Sequence, residues 1–482
     1  MPIARFHCPE CQGPLIAAAP DGLVCGKCAT PVTIDDGILN FVPTPVTGAD
    51  PAAYDAFHGI DDARSDQRYR DLKYWAGGAW PLTLGSALEV GCGTGLLSRA
   101  VLRGGEVKDL VLTDISWPVL RAARAHLDQA GLLSVVPLTF AAHDGVAPIC
   151  RDAVFDTVMG TSVLHHIADV RGFLGRVFHW LKPGGRAFFT EPNLRFHRAL
   201  AQTLADILAL LQSGDPAYAP GRQVLLNLIG EWRRGIVHQG DLPFLAGLDD
   251  KHMFASDSFE AMGRDLGFAS AQAIPTASQP TGSGSVARLC AQLNIEEPVR
   301  SAVLGLLPAF ADRYLALLSP RDQSPSFLFW LEKGVGPAVR VFQAPPPPEP
   351  PPPADTPPLL RTGGLPARWS LELTASRAGD GIEVLVGGWC LVNTDVRWVR
   401  VRLGDAVRQA PVWLPRPDVQ AAINPGSAYA AWNALCCGVR ETLAFPNPAL
   451  DLTIEIVLAN GTILPVPAPP VLPLDETLIA TQ

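Results

Sequence analysis

The sequence predicts an α/β protein whose main body is a doubly wound, mostly parallel seven-stranded sheet, preceded by a small four-cysteine module and followed by a β-sandwich. Three observations carry this. Short apolar runs alternate with helical patterns across residues 87–191, two CxxC pairs stand near the start, and a proline run separates a last segment rich in strand-like runs. At 482 residues the chain has room for about two to four domains. With 48% hydrophobic and 18% charged residues it can build packed cores, so wholesale disorder is excluded. The expected divisions are residues 1–45, 54–343 with a helical insertion at 195–240, a linker at 344–366, and 367–482.

Cys8, Cys11, Cys25 and Cys28 form the first element. Each CxxC supplies two thiolates from one tight turn, and Gly13 and Gly26 ease the bends, so the spacing suits a structural Zn²⁺ in a closed four-sulfur shell. Disulfides are the weaker alternative because no secretion signal precedes them. The phrases FHCPECQGPL and LVCGKCATPVTIDDGILNFVP resemble the small zinc-ribbon family that activates tRNA and protein methyltransferases. That resemblance implies a structural zinc and a docking surface, not catalysis.

The alternating strands and helices follow: ALEVGCG, a helix through Leu97–Arg103, DLVLTDIS, a helix through Val119–Ala130, VVPLTFAAHD, FDTVMGTS, a helix over Val170–Leu181, and RAFFTEP. Such alternation gives a parallel sheet covered on both faces, with ligands at the carboxyl ends of its strands. The first strand runs into Glu89-Val90-Gly91-Cys92-Gly93-Thr94-Gly95. Three glycines at alternate positions let backbone come into contact with a ligand, and the GxGxG spacing differs from the GxGxxG of dinucleotide-binding turns.

With the acid at Glu89, this turn resembles the first motif of class I S-adenosylmethionine-dependent methyltransferases, and FDTVMGTSVLHHIADV, LKPGGRAFFTEPN and DDKHMF followed by SFEAMGRDLGF continue the resemblance over residues 54–335. The closing strand is expected at Ser326–Lys333. The resemblance implies S-adenosyl-L-methionine as cofactor, held by Glu89, Gly91, Cys92, Gly93, Thr94, Gly95, Asp114, Ile115, Asp144 and Thr161. In it Asp114 takes the ribose hydroxyls, Asp144 or its backbone the adenine, and Glu89 the amino group, with support of the glycine turn as the other reading of Glu89. Two residues at the same rim are candidates for catalysis. His165 could deprotonate the acceptor or be structural, and Glu191 could bind the acceptor or cap the segment after it.

Apolar residues at helical spacing in the 195–240 insertion, Leu200, Leu204, Ile207, Leu208 and Leu211, suggest a lid over the acceptor. The run Ala344–Pro358 cannot form helix or central strand because its proline rings lack amide donors, so it reads as a spacer. After Trp369, the runs IEVLVGGWCLV, WVRVRLG, QAPVWLP and LDLTIEIVLA between Gly, Asn, Asp and Pro turns read as a β-sandwich. GGWCLV with LPRPDVQAAIN resembles accessory domains of bacterial glycan enzymes, which implies glycan or protein docking. Trp389, Trp398, Trp413 and Trp432 could stack on sugars or be core residues.

The net charge is −9, and residues 1–45 and 367–482 are each mildly acidic, so nucleic acid is not the expected partner. No apolar run approaches the roughly 18 residues of a membrane span, and the N-terminus lacks a signal-peptide core, from which a cytoplasmic address is expected. The function expected is methyl transfer to oxygen of a small-molecule, lipid or saccharide acceptor. An RNA methyltransferase and a non-catalytic scaffold are the alternatives, the second disfavoured by the intact glycine turn, Asp114 and Asp144.

Overall fold

The computed structural model describes residues 3–18, 22–42, 50–52, 55, 61–145, 147–212, 216–237, 250–335, 361–362, 365–378, 381–392, 396–414, 419, 422, 437–446, 451–458, 462–468 and 477–481. Two units emerge, residues 1–229 with 246–341 and residues 230–245 with 342–482. The proline run and Trp432 lie outside the described residues, as does the side chain of Trp413.

In the first unit, β1 (Leu15–Ala18), β2 (Gly22–Cys25), β3 (Pro31–Asp35) and β4 (Ile38–Asn40) form an antiparallel meander. Helix α1 (Asp62–Ala76) is capped by the Asp61 carboxylate on the Arg64 amide, and it leads into β5 (Gly85–Val90), all of whose residues are buried. Burial of both faces is what helix-covered parallel strands require. Then come α2 (Leu96–Gly104), β6 (Val107–Asp114), α3 (Trp117–Gln129), β7 (Leu138–Ala142), β8 (Phe155–Thr161), α4 (Val170–Trp180) and β9 (Leu181–Pro192). Helices α5 (Leu194–Gln212) and α6 (Ala219–Val237) fill the insertion. They are followed by α7 (Ser256–Asp265), β10 (Ser270–Pro275), α8 (Ser283–Gln292), α9 (Val299–Ala311) and β11 (Ser326–Glu332).

The sheet order is β1-β2-β3-β4-β7-β6-β5-β8-β9-β11-β10. The seven expected strands are its β5–β11 portion, with β11 antiparallel between β9 and β10. Eleven strands rather than seven share the sheet, because β4 pairs in parallel with β7, Ile38 facing Phe140. The N-terminal module is thus joined to the α/β body through its last strand. Further bonds tie it down: the His7 amide donates to Ile149, the Arg151 amide to Arg5, and the Arg5 guanidinium reaches Asp109 and Ser86. Phe6, Cys8, Leu23 and Val32 enter one apolar core with Phe155, Phe173 and Trp180. A module of some forty residues cannot bury a sufficient core alone, and here it borrows the larger one.

Helices α8 and α9, unanticipated, interrupt the β10–β11 hairpin, and α9 packs on α5. Leu200, Leu204, Ile207 and Leu208 of α5 are buried, so this helix is packed into the unit rather than lying loosely on it.

The second unit contains a short hairpin, β12 (Arg361–Thr362) and β13 (Leu365–Pro366). Strands β14 (Arg368–Ala378), β15 (Gly381–Leu391), β16 (Val396–Leu403), β17 (Ala406–Leu414), β18 (Gly438–Phe445), β19 (Leu452–Leu458), β20 (Ile463–Val466) and β21 (Thr477–Thr481) pair antiparallel in the order β20-β19-β16-β17-β18-β15-β14-β21. Leu371, Leu373, Val384 and Val386 share a core with Val399, Val401, Ile454 and Ile456 from the other half of that order. Trp398 is buried, as core tryptophans are, while Trp389 is half-buried.

Candidate functional site

The glycine turn, the end of β6, the loop after β7 and the ends of β8 and β9 meet at the carboxyl end of the parallel strands, because β5 lies between β6 and β8 and runs parallel to both. Gly91, Gly93 and Gly95 all have positive φ. Gly91 is the most constrained: a Cβ there would lie 2.4 Å from the Val163 side chain. Alanine would therefore meet both backbone strain and a clash.

Asp114 accepts the Gly93 amide at 3.0 Å and the Ser116 amide at 2.9 Å, which locks the end of β6 to the turn. Burial pushes its carboxyl above the usual range, against those two amide bonds. Ile115 beside it is 43% exposed. Asp144 follows β7 and accepts the Ala147 amide at 3.0 Å. Thr161 closes β8, next to Ser162, whose φ is positive. The Cys92 thiol is buried and burial pushes it well above the ordinary thiol range, so it is no thiolate nucleophile. The Thr94 hydroxyl is buried without a hydrogen-bond partner among the described residues.

Glu89 is 1% exposed and accepts the Ser98 hydroxyl at 2.5 Å across the turn. Burial raises its carboxyl to about 8, with Asp114 adding to the shift. Its native value thus stands above the ordinary carboxylate value of 4.5, so between these two pH values the folded chain holds a proton that the unfolded chain has released. Stability is expected to fall as pH rises through that window. Glu89→Gln should flatten the slope, and thermal melts of both proteins from pH 5 to 9 would show it; parallel slopes would contradict the assignment.

Three short bonds hold the rim. Glu191, 1% exposed, accepts the amides of Val163 at 2.9 Å and Leu164 at 2.6 Å through one oxygen, and His165 Nδ1 lies 2.6 Å from the other. Glu191 therefore caps the segment after β8, not the segment that follows it in sequence. The same loop is held from the far side, because the amides of Lys251 and His252 donate to the His165 carbonyl. Asp250 and His166, neither singled out from the sequence as a site residue, lie beside His165. The HH pair and DDKHMF were visible as motifs, but nothing in their spacing says that they meet.

Cys8, Cys11, Cys25 and Cys28 converge as the spacing required, with all four sulfurs within 4.8 Å of one another. Three sulfur pairs lie at 3.2–3.5 Å. Zn–S bonds of about 2.3 Å in a tetrahedron would put sulfurs roughly 3.8 Å apart, so the cluster fits such an ion with little adjustment. The amides of Lys27 and Cys28 point at the Cys25 sulfur, which favours a thiolate there.

A methyltransferase-domain family model matches residues 88–187. The ubiquinone biosynthesis O-methyltransferase of Azoarcus sp. is 34% identical over 175 residues, which cover 35% of this chain and 69% of that protein. The biotin biosynthesis bifunctional protein BioCD of Bordetella avium is 30% identical over 169 residues, 33% of this chain and 34% of that protein. The chain thus spans about a third of the Bordetella protein's length. A solved structure of Haemonchus contortus phosphoethanolamine N-methyltransferase 2 in complex with S-adenosyl-L-methionine has 14% identity, covers 59% of this chain and 56% of that one, and gives a TM-score of 0.37.

Proposed function

This chain belongs to the S-adenosylmethionine-dependent methyltransferases, and from that premise we propose that it methylates oxygen on a small-molecule, lipid or saccharide acceptor. The observation that carries the reading is the convergence, at the carboxyl ends of the central strands, of the glycine turn, Glu89 and Asp114 with the Glu191-anchored His165. The relatedness to ubiquinone O-methyltransferases favours oxygen over nitrogen. No helix among the described residues is long and apolar enough to cross a membrane.

The residues at the site suit the cofactor. A sulfonium cation without phosphates calls for a carboxylate and close backbone, and both are present in Asp114 and the glycine turn, while Glu89, protonated in the unliganded chain, would ionise on meeting the cofactor's ammonium group. Asp114 would accept the ribose hydroxyls, Glu89 the amino group, Asp144 or its backbone the adenine amine, and Ile115 would cover an adenine face. When bound, S-adenosylmethionine supplies an electrophilic methyl group. The chain's own part is positioning and proton handling. Glu191 fixes His165 with Nδ1 as the donor nitrogen, which presents Nε2 to take the proton of an acceptor hydroxyl. Helices α5 and α6 would cover the acceptor.

The cysteine cluster would hold one structural zinc in a zinc ribbon, and the second unit would be a β-sandwich that docks a glycan or protein. Cys25→Ser should drop zinc from near one equivalent to near zero by elemental analysis and lower the melting temperature, since β2 belongs to the common sheet. A chain ending near Pro353 should keep its zinc and cofactor affinity, because every strand of the eleven-stranded sheet precedes that point. Its activity on a large glycan should fall while activity on a small acceptor persists, and precipitation or lost cofactor binding would overturn the modular reading.

The acceptor class is tested by incubating the enzyme with radiolabelled cofactor and cell extract divided into RNA, protein, lipid, glycan and small-molecule pools. Label in the lipid, glycan or small-molecule pools supports the proposal. Label confined to RNA or to protein overturns it.

A further inference from the structure

Asp250 and the two histidines after β8 form a second group of metal-type ligands, distant in sequence from the cysteine cluster. One ligand atom from each of His165, His166 and Asp250 lies within 4.8 Å of the others. His165 Nε2 and His166 Nδ1 each stand 3.6 Å from the same oxygen of Asp250. That is too long for a direct hydrogen bond. It is close to the roughly 3.4 Å that separates nitrogen and oxygen ligands sharing one ion with bonds near 2.1 Å.

We propose that His165, His166 and Asp250 form a divalent transition-metal site at the acceptor rim. Protonation geometry supports it. Glu191 takes the hydrogen of His165 Nδ1, so in the neutral ring the lone pair on Nε2 faces the Asp250 carboxylate. The buried carboxylate on the far nitrogen is also the arrangement that orients and strengthens metal-bound histidines. The ligand set of two imidazoles and one carboxylate suits zinc and its neighbours better than magnesium or calcium. The loop is braced for it, since the Lys251 and His252 amides both bind the His165 carbonyl. Asp250 is 77% exposed, which gives an ion a path from solvent.

Three protein ligands leave a coordination position for an acceptor oxygen. The site therefore rests on the reading that the acceptor arrives at this rim, and it deepens it. With an ion bound, His165 Nε2 is a ligand rather than a base. The acceptor hydroxyl would then be acidified by the ion and release its proton to solvent.

The test is calorimetric titration of Zn²⁺ into the full chain after its cysteine cluster has been loaded and excess metal removed, with no cofactor or acceptor present. Wild type should show one saturable site, weakened at least tenfold in both His166→Ala and Asp250→Asn. Both positions are solvent-exposed, and unchanged binding of S-adenosylhomocysteine would certify the fold. No saturable site in wild type, or the same isotherm in all three proteins, overturns the proposal and leaves a protonated His165 between two carboxylates. Because binding is read without methyl transfer, failure of the acceptor assignment and failure of the metal site register separately.

Discussion

Asp114→Ala should weaken S-adenosylhomocysteine binding by a factor of about a hundred or more. Hydrogen bonds to charged groups contribute about 1.5–3 kcal/mol each, and the proposed contact to two ribose hydroxyls involves two of them. A second effect adds to the first. The same carboxylate holds the Gly93 and Ser116 amides, so alanine also loosens the turn that shapes the pocket. Asp114→Asn separates the two: its remaining carbonyl oxygen can still accept an amide, while the charge that strengthens the ribose contacts is gone. Calorimetry gives the affinities and thermal melts give the fold. Unchanged affinity in Asp114→Ala would mean that the ribose is bound elsewhere.

Glu191→Ala should cost about 3 kcal/mol or more of stability and nearly all activity. The Val163 amide, the Leu164 amide and His165 Nδ1 would lose their acceptor in a buried place, at about 1–3 kcal/mol for each donor left unpaired, and neighbouring losses do not add independently. The damage would spread to the cofactor turn, because Val163 fills the space against Gly91. Glu191→Gln tells a positioning role from a merely structural one. Its amide oxygen can still accept the two backbone amides, but its nitrogen, a donor, would face His165 Nδ1 and favour the other tautomer. Denaturant melts near wild type together with a collapsed kcat and an altered pH profile would mark positioning. Full activity in Glu191→Gln would sink the view that the carboxylate sets the imidazole.

The four sulfurs of Cys8, Cys11, Cys25 and Cys28 and the turn from Glu89 to Gly95 were legible without coordinates because their chemistry depends on residues a few positions apart. The same holds for the strands β5 to β9, whose apolar runs are short, continuous and bounded by glycines, polar residues and helical patterns. The bounds of α2, α3 and α4 also follow local signals and fall within two residues of expectation. By contrast, α8 and α9 carry no cue that places two helices inside a hairpin.

Pairing of β4 with β7 depends on Ile38 meeting Phe140 across about a hundred residues of chain, and edge strands declare no partner in their own sequence. Nor could local spacing decide what Glu191 does. Only the parallel alignment of β8 with β9 brings its carboxylate beneath the amides of Val163 and Leu164, and only the return of the chain at Asp250 sets a carboxylate against His165 and His166. Residue order thus determined the chemistry available within each turn. Which turns face one another, and so what those groups can do together, was decided by long-range strand pairing and burial, whose partners a local pattern does not encode.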